Sequence, residues 1–263
     1  MRSTSDPPAS GSATHGGSAT RGGSATHARS ATPTTLRALA DEADERFAGL
    51  SAVEAGLRAL AWAGETFGSG LVLASSMADT HLVHLGQSVV PGIDVLFLDT
   101  GYHFVETIGT RDAVAAVYQV NLVSITPRQS VLEQDAEFGA RLFERDPERC
   151  CAMRKVEPLE RGLAPYTAWV NGMRRVDAPT RTDIRLVDFD AKRGMVKISP
   201  LAAWTDEDVA GYIEDYGVLV NPLFQDGYTS IGCEPCTRRT LPGEDPRAGR
   251  WAGFAKTECG LHT

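Results

Sequence analysis

The chain has five cysteines, Cys150, Cys151, Cys233, Cys236 and Cys259. Four of them form two pairs, Cys150-Cys151 and Cys233-Glu234-Pro235-Cys236. A CxxC pair grips one metal or cluster from two sides of a tight turn. Adjacent cysteines behave differently, because neighbouring side chains on an extended backbone point apart. Both reach one centre only where the backbone is helical or kinked. A [4Fe–4S] cube, with four irons to serve, accepts a wider ligand spread than a single tetrahedral zinc. Structural zinc, a redox-active dithiol at the CxxC and two unrelated buried pairs are the competing readings. Cys259 stands apart, in Lys256-Thr257-Glu258-Cys259-Gly260-Leu261-His262 near the end of the chain. Terminal segments are usually mobile. A mobile thiol can swing into a pocket, attack, and swing out to a partner. The thiolate is the nucleophile, so positive neighbours such as Lys256 or pocket arginines would help it, and His262 is a further candidate assistant.

Three basic clusters accompany the cysteines: Arg154-Lys155, then Arg174, Arg175 and Arg181, then Arg247 and Arg250. Arginine forks match the oxygens of phosphate and sulfate in bidentate fashion. The rest of the chain is acidic, with a formal net charge of −8. That balance argues against a basic surface for a nucleic-acid polymer and leaves a local pocket for a small polyanion.

The elements that must position these groups read as an α/β protein. The chain has 263 residues, 42% apolar and 23% charged, enough to bury a full core without disulfide staples. No apolar run approaches about eighteen residues, so no membrane span is expected. The N-terminus lacks the apolar segment of a secretory signal. A cytoplasmic location, where thiols stay reduced, is therefore expected. Residues 1–33 form a low-complexity tail, with Ser-Ala-Thr triplets starting at Ser12, Ser18, Ser24 and Ser30. Such a repeat has almost nothing to bury and is expected to be disordered. Its few arginines and lack of acids from Pro7 to Ala40 also fit a transit peptide; a dispensable tail is the simpler reading. Order is expected from Thr34 or Thr35, with Leu36, Leu39, Ala40, Ala43 and Phe47 at helical spacing.

A second helix is expected from Ala52 to Gly64. Buried parallel strands are expected at Leu71–Ala74, Asp94–Leu98 and Val120–Ile125, with helices from Asp79 to Val90 and His103 to Tyr118 between them. Alternation of this kind implies right-handed crossovers and a parallel sheet. A short strand is expected at Trp169-Val170-Asn171, and a hairpin from Ile184–Phe189 and Val196–Ser199 around Lys192-Arg193-Gly194. Thr205 caps a helix through Tyr216, with Asp208 in the reciprocal position. Residues 34–240 then make a nucleotide-binding domain and 241–263 a flexible catalytic segment. In open parallel sheets, ligands bind beyond the carboxyl ends of the strands. Ser75-Ser76 and Asp99-Thr100-Gly101 fall at such ends.

Cys150-Cys151-Ala152-Met153-Arg154-Lys155-Val156-Glu157-Pro158-Leu159 resembles the cluster-binding segment of assimilatory adenylyl-sulfate reductases. So does Gly227-Tyr228-Thr229-Ser230-Ile231-Gly232-Cys233-Glu234-Pro235-Cys236-Thr237-Arg238. The arginine loop, Gly249-Arg250-Trp251 and the terminal Glu258-Cys259-Gly260-Leu261-His262 match in the same order, and the resemblance runs from about Leu71 to the end. It implies an adenine-nucleotide α-hydrolase-like fold, one [4Fe–4S] cluster on Cys150, Cys151, Cys233 and Cys236, and Cys259 as nucleophile. It places Lys155 between cluster and substrate, Arg247 and Arg250 at the phosphosulfate, and Arg174, Arg175 and Arg181 in the arginine loop. Thioredoxin is implied as the reductant, acting in trans, because no fused thioredoxin domain follows. One departure concerns the loop Ser75-Ser76-Met77-Ala78-Asp79, which lacks the glycines of the related pyrophosphatase motif. Ser75 and Asp79 keep register, but bulkier residues leave less room to cradle a pyrophosphate. The 3′-phosphorylated nucleotide, a tRNA-modifying pyrophosphatase and a zinc-stabilised binding module are the alternatives. Oligomeric state is left open.

Overall fold

The computed structural model describes residues 31–254, 256 and 258–261. The repeat tail up to Ser30 and the terminal His262 therefore lie outside the described residues. The first helix, α1, covers Pro33–Phe47. It begins slightly before the expected Thr34 or Thr35 because Thr32 caps it and Pro33 fills its first turn, where a missing N–H costs nothing. Helix α2, Ala52–Phe67, runs three residues past the expected Gly64. Strand β1 is Leu71–Ala74, followed by α3 at Thr80–Val89. Strand β2 is Ile93–Leu98, α4 is Val105–Val117 and β3 is Val120–Ile125.

The next stretch departs most from the sequence reading, which placed no elements there. Helix α5, Val131–Phe138, opens with a complete Ser130–Glu133 capping box. Two short helices follow, α6 at Leu142–Arg145 and α7 at Pro147–Cys151. Helix α7 continues into a π-helical turn at Ala152–Val156, then into α8 at Glu157–Leu163. Strand β4 is Ala168–Val170, one residue earlier than expected. The hairpin is β5, Val187–Asp190, with β6, Met195–Ile198. Its first strand starts later than expected because the Ile184 N–H is already spent on the Arg181 carbonyl in a turn. Helix α9, Asp206–Tyr216, carries the reciprocal Thr205–Asp208 cap.

The six strands form one sheet in the order β3-β2-β1-β4-β6-β5. All neighbours are parallel except the β5–β6 hairpin at one edge. The chain winds outward from β1 through β2 to β3, then crosses back to place β4 on the other side of β1. The strand order therefore reverses between β1 and β4, and the loops leaving these strands diverge into a crevice. The central strands are covered on both faces. On one side, Leu71, Leu73, Val95, Phe97 and Val170 pack with the helices α1 to α3 in the main core. On the other, Val72, Leu96 and Trp169 pack with Leu159 and Leu163 of α8. Among the described residues no helix is long and apolar enough to cross a membrane.

Candidate active site

The crevice at the β1/β4 switch is a cleft of about 1260 Å³. Its walls include Ser75, Asp79, Lys155, Arg174, Arg175, Arg181, Arg247, Arg250 and Cys259. The fold thus gathers every expected substrate residue, together with the expected nucleophile, around one space. Asp99 is not part of the wall, although Thr100 is. The Asp99 carboxylate turns back to accept from the Gly101 N–H at 3.1 Å and to pair with Arg111.

The loop after β1 closes on itself. Ser75 Oγ donates to Asp79 Oδ1 at 2.8 Å and accepts from the Met77 N–H at 3.0 Å, and the Ser76 N–H also reaches Asp79 Oδ1. Met77 sits at φ 61, in the left-handed region, and Asn221 Nδ2 donates to its carbonyl. The Ser76 and Met77 amides are thus used within the loop. Gly172, just beyond β4, lies against the Asp79 carboxylate so closely that any Cβ would collide with it. Asp79 therefore shapes this wall by filling the space against the β4 exit.

A second, smaller cavity lies behind the cleft. Cys150, Cys151, Cys233 and Cys236 all line it, and Lys155 and Trp251 are shared by both spaces. The adjacent pair reaches one cavity because its backbone is helical and passes directly into the π turn. The Cys233 loop is held to the end of β2: Thr100 Oγ1 lies 3.4 Å from Cys233 Sγ, and the Glu234 N–H donates to the Tyr102 carbonyl. Burial, then the charges of Cys151, Cys233 and Cys236, push the Cys150 thiol up to about 12. Burial and Cys233 push Cys236 up to about 11. Burial raises Cys151 as well, and thiols so buried favour losing their protons to a cationic partner, so the donor set suits a metal centre. Among the described residues no three His, Cys, Asp or Glu side chains close on a single ion.

Lys155 is pulled down by burial and by Arg250, while thiolate charge on Cys233, Cys259 and Cys151 raises it, and the net direction is upward. Arg250 is lowered by burial and by Arg247, against the opposing pull of Cys259, Cys233 and Cys236. It donates to Ser230 Oγ and the Ile231 carbonyl and stacks 4.6 Å over the Trp251 ring. Gly232 leaves the room its guanidinium occupies, and a Cβ there would collide with it. The Trp251 N–H donates to the Cys236 carbonyl at 3.0 Å, so the cysteine loop and the Arg250 segment form one unit.

Two other arginines of the expected set are held by carboxylates that the sequence reading missed. Arg174 pairs with Asp177 and Asp206, both at 2.8 Å. Arg181 pairs with Asp177 and grips both oxygens of Glu258 at 2.9 and 3.0 Å. The spacing of Arg174, Asp177 and Arg181 signals local pairing, but Asp206 and Glu258 are distant in sequence and carry no such signal. Arg175 is exposed and donates to the Ile184 carbonyl.

Arg154 departs from the expected anion cluster. It is buried, with Nε on Gln134 Oε1 at 2.7 Å and Nη1 on the Thr100 carbonyl at 2.8 Å. It ties the π turn to the end of β2 and does not face the cleft. Arg154→Leu should lower stability by about 3 kcal/mol, because two buried acceptors lose their donor. Urea denaturation checks this, and an unchanged midpoint would refute it.

Residues 70–239 match the model of the phosphoadenosine phosphosulfate reductase domain. The chain belongs to the phosphoadenosine phosphosulfate reductase family. Among its relatives is the adenosine 5′-phosphosulfate reductase of Streptomyces coelicolor, 57% identical over 88% of this chain and 96% of that protein. The enzyme of the same name from Mycolicibacterium smegmatis is 56% identical over the same shares. The crystal structure of a phosphoadenylyl-sulfate reductase from Candida auris, as a phosphate complex, superimposes with a TM-score of 0.63 at 28% identity. That match covers 76% of this chain and 96% of the other. The sheet is thus that of a reductase of this family, and the chain is an oxidoreductase.

Proposed function

We propose that this reductase converts adenosine 5′-phosphosulfate to sulfite and AMP in sulfate assimilation in the cytoplasm, with thioredoxin as reductant. The observation that carries this reading is the placement of Cys259. It shares the cleft with Lys155, Arg247 and Arg250, while the four other thiols line a separate cavity behind Lys155. This division supports a reading in which one thiol meets the substrate and the other four hold a metal centre. The relatives named for the unphosphorylated nucleotide share 56–57% of their residues with this chain, against 28% for the phosphoadenylyl-sulfate enzyme, which favours the former substrate.

In this reading adenosine lies over the strand ends by Ser75 and Thr100, and Lys155, Arg247 and Arg250 face the phosphosulfate. The Cys259 thiolate bonds to the sulfate sulfur as the bond from that sulfur to the bridging phosphate oxygen breaks. AMP leaves with the electron pair, and Lys155 and the arginines oppose the charge that develops on those oxygens. A thiolate of the reductant then attacks Cys259 Sγ, and sulfite departs with the pair of the S–S bond. The second thiol of the reductant closes a disulfide, supplying two electrons in all and returning Cys259 as a thiol. Cys150, Cys151, Cys233 and Cys236 would hold a [4Fe–4S] cluster. Its contribution would be structural and electrostatic, since the Cys233–Cys236 loop is bonded to the segment that carries Arg250 and the thiols stand beside Lys155.

Thioredoxin-dependent sulfite release by anaerobically purified protein tests the proposal, with adenosine 5′-phosphosulfate and its 3′-phosphorylated form side by side. A preference of at least about a hundredfold in kcat/KM for the unphosphorylated nucleotide is expected, because Arg174 and Arg181 of the cleft are already paired with carboxylates and not with a 3′-phosphate. Equal use or the reverse preference would overturn the substrate assignment.

A further inference from the structure

The residue before the proposed nucleophile is itself part of an ionic chain that runs inward from the exposed Asp206. Asp206 at the start of α9 pairs with Arg174, Arg174 with Asp177, Asp177 with Arg181, and Arg181 with Glu258. Glu258 Oε2 also accepts from Arg247 Nη2 at 3.2 Å. The Arg181 side chain is only 10% exposed and Glu258 only 22%. All three nitrogens of the Arg181 fork are engaged, two of them by the two oxygens of one carboxylate. A bidentate pair fixes orientation as well as distance, unlike a single exposed ion pair. Consecutive Cα atoms are about 3.8 Å apart, so fixing Glu258 fixes the backbone of Cys259.

Both flanks of Cys259 are tied in addition. On one side Lys256 Nζ meets Glu148 Oε2 at 2.6 Å, on the short helix that carries Cys150 and Cys151, and the Lys256 side chain is nearly buried. On the other side the Leu261 carbonyl accepts from Arg193 Nη2 at 3.0 Å, and the Leu261 side chain packs on the cluster around Leu159 and Trp169. Arg193 is in turn held by Asp190 and Glu160. The segment 256–261 therefore meets three different parts of the reductase domain within six residues, and the central contact is the strongest in geometry.

We infer that Glu258 is a positioning residue, and that its pairing with Arg181 and Arg247 is the seat that sets Cys259 against the substrate's reacting end. The inference rests on the proposed role of Cys259 as nucleophile. It assigns Arg181 to the tail, has Arg247 bridge Glu258 and the phosphosulfate, and leaves Lys155 and Arg250 to the substrate. It also gives the tail a way to be released: the seat is ionic, so it can open when Cys259 must meet the reductant, while an apolar seat would hold it shut.

The test compares wild type, Glu258→Gln, Glu258→Asp and Arg181→Lys. Single-turnover formation of the Cys259 adduct should slow by about ten- to thirtyfold in Glu258→Gln, with KM for adenosine 5′-phosphosulfate changed by less than about threefold. Glu258→Asp keeps the charge and should regain part of the rate. Arg181→Lys keeps the charge but loses the fork, and should behave like Glu258→Gln. In resting protein without nucleotide, alkylation of Cys259 by iodoacetamide should speed up several-fold in Glu258→Gln. Wild-type adduct and alkylation rates in Glu258→Gln would overturn the seat. So would an Arg181→Lys variant whose KM rises while its rate holds, since Arg181 would then serve the substrate. If wild type released sulfite from neither nucleotide, the substrate reading would fall, and the alkylation comparison would still decide the seat.

Discussion

Cys259→Ser is expected to abolish sulfite release, lowering the rate by at least about a thousandfold, while nucleotide binding stays within a few-fold of wild type. Serine matches cysteine in shape, and Cys259 is only partly buried, so the fold should lose no more than about 0.5 kcal/mol. What disappears is the nucleophile. An alcohol stays protonated at neutral pH and is a far weaker nucleophile than a thiolate. Lys155 and Arg250 would remain in place, so the nucleotide should still dock against them. Isothermal titration with adenosine 5′-phosphosulfate and a sulfite assay on the same preparation separate the two effects. A variant that bound nucleotide and still released sulfite at the wild-type rate would remove Cys259 from the chemistry. No other cysteine could replace it, because the remaining four line the cavity on the far side of Lys155.

The second large effect concerns that cavity. Cys233→Ala should give protein with little bound iron, weak visible absorption, a stability loss of more than about 3 kcal/mol and a rate lowered at least about a hundredfold. The reasoning follows the backbone. The Cys233 loop is bonded to the Tyr102 carbonyl at the end of β2, and the Cys236 carbonyl receives the Trp251 N–H. Thr237 bridges Arg250 in antiparallel fashion. Releasing the loop therefore loosens the segment that presents Arg250, and with it one wall of the substrate cleft. Lys155 would also lose the neighbouring charge that raises it. Iron analysis, the absorption spectrum and denaturation of one preparation check all three expectations. Full iron content with wild-type activity would show that Cys233 is not a ligand.

Much of the sheet was legible because its central strands are buried on both faces. Leu71, Val72 and Leu73 are all fully buried, as are Val95, Leu96 and Phe97, and a continuous apolar run bounded by turn residues has few other uses. The Thr205–Asp208 cap was legible for a local reason, since both partners lie within one turn. The stretch from Val131 to Leu163 was not. Gly139 and Pro147 break its periodicity, and the π turn after Cys151 is fixed by tertiary bonds, chiefly those of Arg154 to Gln134 and Thr100. Arg154 itself was misread for the same reason: nothing in its neighbours shows that two acceptors wait for it in the interior. The cysteines were picked out because thiols are scarce, and the cleft cations because they cluster on loops near the cysteines in an acidic chain. Their partners were harder. Glu258 looks like an ordinary surface acid until the fold brings Arg181 and Arg247 to it.

The central claim is that sulfate passes through a covalent adduct on Cys259. The most direct measurement is intact-protein and peptide mass spectrometry after incubating the protein with adenosine 5′-phosphosulfate in the absence of any thiol. One added sulfo group is expected, confined to the peptide that carries Cys259 and removed, with release of sulfite, when thioredoxin is added. An unmodified Cys259 in protein that goes on to release sulfite when thioredoxin is supplied, or a sulfo group on Cys150, Cys151, Cys233 or Cys236 instead, would contradict it.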